Sequence, residues 1–200
     1  MTTEDIKEGV VKWTMPIDNM LAEWCDQAKC FEWMHTEAYS NYDSKSRFII
    51  ISSNILTAVS GLSNVIAGGT TVNGFPLAYI FGSLSILVSI TNMLQEKLAY
   101  GQYAIEHKQY SVLWGIIRRK IEEELTIQPE SRMDCGSFLR ILRQDINKVS
   151  MDGSAKIPVK IRKSCFDKFS KILNFDIPEI CGIMEHTKVY NREETKPLLY

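Results

Sequence analysis

From Phe48 through Gln95 the chain runs 48 residues without a single Asp, Glu, Lys, Arg or His, and all 47 formal charges fall in the other 152 residues. A helix that faces water carries charged side chains on its solvated side, so two consecutive helices without any are unusual in a soluble fold. The block is long enough for two membrane crossings, because a helix rising about 1.5 Å per residue crosses the hydrocarbon layer in roughly 20 residues. Phe48 to Ala67 holds 12 apolar residues in 20, and Leu77 to Leu94 holds 12 in 18. Residues 68–76 between them read GGTTVNGFP, a stretch dense in turn formers. The expectation is an all-α membrane protein built on a two-span transmembrane hairpin, with helices at 48–67 and 77–94 and a short non-cytoplasmic link at 68–76. The competing reading is a soluble protein with two buried helices, since both stretches carry Ser, Thr and Asn.

Basic residues near the ends of spans mark the cytoplasmic side. Lys29, Lys45 and Arg47 precede the first stretch, Lys97 and Lys108 follow the second, and the link has none. That pattern predicts an integral membrane protein with both termini cytoplasmic. Met1 to Met15 mixes Glu4, Asp5 and Glu8 with polar residues and has no apolar core, so no secretory signal peptide is expected.

The polar residues inside the stretches are ordered. Ser53, Thr57, Ser60 with Gly61, Asn64 and Gly68 recur at three- and four-residue spacing along one face of the first helix, and Gly82, Ser85, Ser89 and Asn92 do so on the second. Small residues admit close backbone approach, and hydroxyls and amides bond across helices, so in lipid such a stripe marks the packed face. Two roles stay open for it: zipping the hairpin or neighbouring hairpins together, or lining an uncharged polar pore in an oligomer. No charged ring accompanies the stripe, which favours packing.

Composition excludes several other classes. With 23 basic and 24 acidic residues the net charge is −1, without the basic excess of a nucleic-acid-binding domain. Five cysteines, at 25, 30, 135, 165 and 181, form no CxxC pair, and reduced thiols are expected. The nearest approach to a metal pattern, Cys165, Cys181 and His186, fits no zinc module. No nucleophile constellation, phosphate-cradling loop or paired carboxylates appear, so neither enzymatic activity nor a cofactor is expected.

The flanks read as helices. A lead at 1–16 precedes an amphipathic helix at 17–47, in which Ile17, Leu21, Trp24, Ala28, Phe31, His35, Ala38 and Tyr42 alternate at four and three. His35 on this stripe is read as a packing histidine before a pH sensor, and Trp24 and Trp33 as either interface anchors or bundle filling. Residues 95–185 form the second cytoplasmic region. There the second span is expected to run on to about Leu125, either continuous or kinked near Gly101, followed by helices at 134–150 and 157–173. Arg118 to Lys120 and Glu122 to Glu124 are placed to pair locally. Six basic residues against Asp167 between Lys156 and Lys171 make either a solvated face or a strip for anionic headgroups. A disordered tail is expected over 186–200.

The run Cys30 to His35 before a hairpin with a Gly-rich link resembles the SLATT family. Later parts similar to Cys135 to Phe138, Lys156 to Pro158 and Ile177 to Cys181 recur in the same order, and the likeness covers roughly residues 15–185. It is closest to the stand-alone members of large DNA viruses. The resemblance implies a two-span membrane protein with cytoplasmic ends that oligomerises. Relatives in prokaryotic conflict systems sit beside nucleotide-signal synthases or sensors and are thought to act as pore-type effectors. This chain departs from that setting, because its sequence shows no fused sensor and no nucleotide pocket, which leaves ligand gating open. The expected function is an oligomeric pore-forming or membrane-perturbing protein, with a non-conducting scaffold, such as a structural component of a viral membrane, as the alternative. The expected partners are a lipid bilayer and further copies of the chain, with a cytoplasmic partner left open.

Overall fold

The computed structural model describes residues 11–66, 71–72, 74–152, 156–182, 184 and 187. Helix α1 covers Met15–Ile66, two short strands β1 (Thr71–Val72) and β2 (Phe75–Pro76) follow, and then come α2 (Leu77–Leu98) and α3 (Tyr100–Thr126). A 3-10 turn at Pro129–Ser131, α4 (Cys135–Asp152), α5 (Val159–Phe169) and a second 3-10 turn at Glu179–Cys181 complete the order.

The 52-residue α1 fuses the amphipathic helix expected at 17–47 with most of the apolar stretch expected at 48–67. Between Pro16 and Gly61 the sequence offers neither Pro nor Gly, so nothing in it stops helix propagation. The start is set at Thr14, whose carbonyl accepts Ile17 N at 2.9 Å and Asp18 N at 3.0 Å. In the link, Thr71 pairs with Pro76 and Val72 with Phe75 in an antiparallel ladder, with Gly74 at φ 83° in the turn. That φ suits glycine, which has no Cβ to clash.

The membrane expectation is corrected. Among the described residues no helix is long and apolar enough to cross a membrane, so the transmembrane hairpin and the integral-membrane placement with both termini cytoplasmic are not supported. Physically, the apolar residues are diluted. Ser, Thr, Asn and Gly take all eight remaining places between Phe48 and Ala67 and all six between Leu77 and Leu94. Ala67, the last residue of the expected first span, and residues 68–70 and 73 of the link lie outside the described residues. So do residues 1–10 of the lead and, except Thr187, the tail expected at 186–200. What stands is the helical architecture.

The helix expected to run on to Leu125, continuous or kinked near Gly101, takes the second form. It is interrupted at Ala99, which adopts the left-handed conformation at φ 45° and ψ 32° and separates α2 from α3. The local hydrogen bonding survives the break, since Ala99 N donates to Gln95 O at 3.2 Å and Tyr103 N to Ala99 O at 3.1 Å.

The chain divides into two compact units, Met1–His35 with Gln109–Tyr200, and Thr36–Lys108. In the first, Leu21, Ala28, Ile117, Ile121, Phe138 and Leu142 build the centre of a buried core. Gly115 leaves room on α3 for the approach of the Glu32 carboxylate from α1, because a Cβ there would stand 2.8 Å from Glu32 Oε1. Arg118 uses that approach, holding Glu32 at 2.7 Å and Glu122 at 2.8 Å. Only the second of these is the local pairing read from the sequence, and Lys120 goes instead to Asp145 on α4 at 2.6 Å. Arg132, with a side chain only 6% exposed, holds Asp18 at 2.8 Å and donates to the carbonyls of Ile127 and Leu125 at 2.9 and 3.2 Å. Asp134 caps α4 by accepting Ser137 N at 2.9 Å, and this bond holds its carboxyl below the ordinary carboxylate range.

Candidate functional site

The second unit contains the described residues of the polar stripe, Gly68 lying outside the described residues. Ser53, buried on α1, donates its hydroxyl to Asn92 Oδ1 on α2. Two turns further along, Ser60 Oγ lies 2.6 Å from Ser85 Oγ. Ser85 already donates to Phe81 O at 3.1 Å, which makes Ser60 the donor of the pair. Thr57 and Ser89 do not reach across. Their hydroxyls return to their own helices, to Ser53 O at 2.8 Å and Ser85 O at 3.0 Å. A Cβ at Gly61 or Gly82 would meet nothing within 4 Å, so neither glycine serves close helix approach. Asn64 lies in α1, but its side chain is outside the described residues.

The opposite faces of both helices are apolar and exposed. On α1, Phe48, Ile51, Ile55 and Leu62 lie at spacings of three, four and seven residues, with Phe48 73% and Leu62 68% exposed. On α2, Ile86, Leu87, Ile90, Met93 and Leu94 are likewise exposed. The hairpin thus has two hydrogen-bonded pairs between its helices and a broad uncharged apolar surface outside.

In the same unit an aromatic cluster joins α1 to the start of α3. Tyr42 stacks on His107 at 5.4 Å and 8°, and packs against Tyr100 and Tyr103 at 5.9 and 5.6 Å. Lys45 Nζ sits 5.7 Å above both the Tyr42 and Tyr100 rings. Burial, aided by Tyr103 and Tyr100, pushes the Tyr42 hydroxyl up. Burial also pushes the His107 imidazole below its ordinary value, against the weaker upward pull of Glu106.

In the first unit, sequence reading had not foreseen a sulfur cluster. Cys30, Cys165 and Met34 are fully buried, and Cys181 Sγ donates to Met34 Sδ at 3.7 Å. The hydrogen bond to Cys181 lowers the Cys165 thiol, but a second bond to Cys30 and burial outweigh it and push the group up to about 12. Cys181 is raised by its hydrogen bond to Cys165 and by burial. The signal was weak because cysteines at 30, 165 and 181 have no spacing that ties them together. Among the described residues, no group of three or more His, Cys, Asp or Glu is arranged to hold a metal ion.

The remaining sequence candidates fall into packing roles. His35 is buried and packs on Tyr110 at 5.3 Å. Trp33 meets Phe169 edge-on at 5.8 Å, and Lys168, from the basic strip, covers its ring at 4.6 Å. Lys160 and Lys163 of that strip are exposed, while Ile161 and Cys165 turn inward. Compared with protein-family models, curated proteins and solved structures, the chain matches none.

Proposed function

We propose that this is an assembly protein whose uncharged hairpin joins copies of the chain into a homo-oligomer. The carrying observation is the division of the hairpin into an inner polar seam and an outer apolar surface. Ser53 with Asn92 and Ser60 with Ser85 hold the two helices together, while Phe48, Ile51, Ile55 and Leu62 are exposed. Contiguous apolar surface of this kind marks an interaction site. Spacings of three and four residues are those of a helix that packs against another helix. A second copy supplies an equally uncharged, equally spaced surface, and an isologous pairing covers both at once.

Oligomers are also what the SLATT resemblance implies, and the reading keeps that part of it. The hydroxyls of Ser53 and Ser60 are taken up within one hairpin, which supports packing over pore lining for the stripe. The reading is therefore the scaffold, gathering copies of the helical unit formed by Met1–His35 and Gln109–Tyr200.

Sedimentation velocity and native mass spectrometry of the full chain test this. Species well above the 22.9 kDa chain are expected in detergent-free buffer. Ile55→Glu and Leu87→Glu should shift them toward the single chain with helical content retained. A chain that is monomeric at every concentration overturns the proposal. So does one that associates only with phospholipid vesicles, as isolated copies.

A further inference from the structure

A cavity of about 370 Å³ opens in the first unit among α1, α3 and α4. Its walls are Trp24 and Phe31 from α1, Trp114 from α3 and Ile146 from α4, and its polar groups are Gln27, Arg143 and Asn147. The volume lies within the range of small-molecule sites, which are typically apolar and aromatic with a few convergent polar groups.

The walls are preformed. Phe31 and Trp114 are stacked with ring centroids 4.6 Å apart and planes 15° from parallel, so each covers a face of the other and holds its position in the wall. Trp24, two turns before Phe31 on α1, adds a second indole. On α4, Arg143, Ile146 and Asn147 follow at spacings of three and four residues and so share one face.

The charge in the cavity is of one sign. Arg143 is its only ionised lining group, and no carboxylate among the described residues forms a salt bridge with it. Asp145, two residues from Arg143, is held by Lys120 at 2.6 Å, and the Gln27 amide of the lining is taken by Asp176 at 2.5 Å. A guanidinium offers a planar fork that matches a carboxylate in two parallel hydrogen bonds. A single such group, with no lysine beside it in the lining, suits one carboxylate better than a multiply charged phosphate chain.

We propose that this cavity binds a small planar aromatic carboxylate, with its ring against Trp24, Phe31 and Trp114 and its carboxylate on Arg143 beside Asn147. Recognition divides accordingly. The aromatic walls supply affinity for any flat apolar ring, and Arg143 discriminates the acid from its neutral counterpart. The site lies within one unit and does not depend on assembly of the hairpins.

The probes are 2-naphthoate and, as the neutral counterpart, 2-naphthalenemethanol, titrated into the full chain by calorimetry and ligand-observed NMR. Naphthoate should saturate at one molecule per chain and bind more tightly than the alcohol. Arg143→Ala, at an exposed position where folding is not at stake, should weaken naphthoate about tenfold or more and leave the alcohol nearly unchanged. Ile146→Trp, which fills the cavity, should abolish both, with helical content checked by circular dichroism. Absence of saturable naphthoate binding at millimolar concentration overturns the proposal. Equal loss of acid and alcohol in Arg143→Ala also overturns it, as does undiminished binding in a folded Ile146→Trp.

Discussion

Ser60 on α1 and Ser85 on α2 face each other with their hydroxyl oxygens 2.6 Å apart, and the Ser85 proton goes on to Phe81 O at 3.1 Å. The chain of two bonds joins the helices of the hairpin at a point where Ser60 is 7% exposed. A neutral hydrogen bond of this kind contributes about 1 kcal/mol net. Ser60→Ala and Ser85→Ala should each lower stability by about that amount. In a double-mutant cycle by urea denaturation the pair should show a coupling of about 0.5–1 kcal/mol. Strict additivity would mean that the two hydroxyls do not work together.

Ala99 holds a left-handed conformation at φ 45°, which costs a residue with a Cβ about 1 kcal/mol or more. Glycine carries no such cost, so Ala99→Gly should stabilise the second unit by about 0.5–1 kcal/mol. Ala99→Val, β-branched, should destabilise it. A raised urea midpoint for the glycine variant and a lowered one for valine are the expected pair of results.

Arg132 connects the start of α1 to the turn after α3. Its Nη1 reaches Asp18 at 2.8 Å, its remaining donors hold two carbonyls, and its guanidinium lies 4.8 Å from the Trp13 ring. Asp18 is 34% exposed, so water takes up part of its loss, and Arg132→Ala should cost about 2–3 kcal/mol. Arg132→Lys should recover only a minor part, because an ammonium cannot meet three acceptors in one plane. Equilibrium unfolding of both variants checks this, and full recovery by lysine would show that charge alone matters.

The apolar stripe Leu21, Trp24, Ala28, Phe31 was legible because a helical period needs only the sequence to display it. All four residues face the first unit's interior. The Ser and Asn stripe was legible for the same reason, and two of its cross-helix partnerships formed. Gly61 and Gly82 share the period but no contact, since spacing fixes a face and not the distance to the next helix. Reading an uncharged block as two membrane spans took the absence of charge for sufficient apolarity, while the interspersed Ser, Thr and Asn lowered it. The break was marked only approximately, by Gly101, because alanine, which adopts the left-handed conformation, is the strongest helix former. There, packing of Tyr100, Tyr103 and His107 on Tyr42 offsets the local cost. The sulfur cluster and the cavity depend on elements far apart in sequence, whose meeting no local pattern encodes.

All five cysteines are buried and unpaired. Cys25 and Cys135 are raised by burial, and Cys165 stands at about 12, so each of these thiols stays protonated at neutral pH. The thiolate is the reactive form. Iodoacetamide at pH 8 should therefore modify these three slowly in the folded chain and rapidly in denaturant, as read by mass spectrometry. Fast alkylation of Cys165 in the native protein would contradict its protected setting.

His107 couples the aromatic cluster to pH. Burial places its folded-state pKa below the ordinary 6.5 despite the opposing pull of Glu106. Both folded and unfolded chains hold it neutral above that value, so its full stabilising contribution is present there. As pH falls from about 6.5 through the folded value, the unfolded chain takes up the proton first, and stability declines across that window. Stacking on Tyr42 at 5.4 Å places the cost in the contact between α1 and α3. His107→Gln, which cannot titrate, should remove this component while lowering stability at neutral pH. Urea midpoints of the two proteins measured between about pH 7 and pH 5 should converge as the solution becomes more acidic. Parallel profiles would assign the acid sensitivity to other groups.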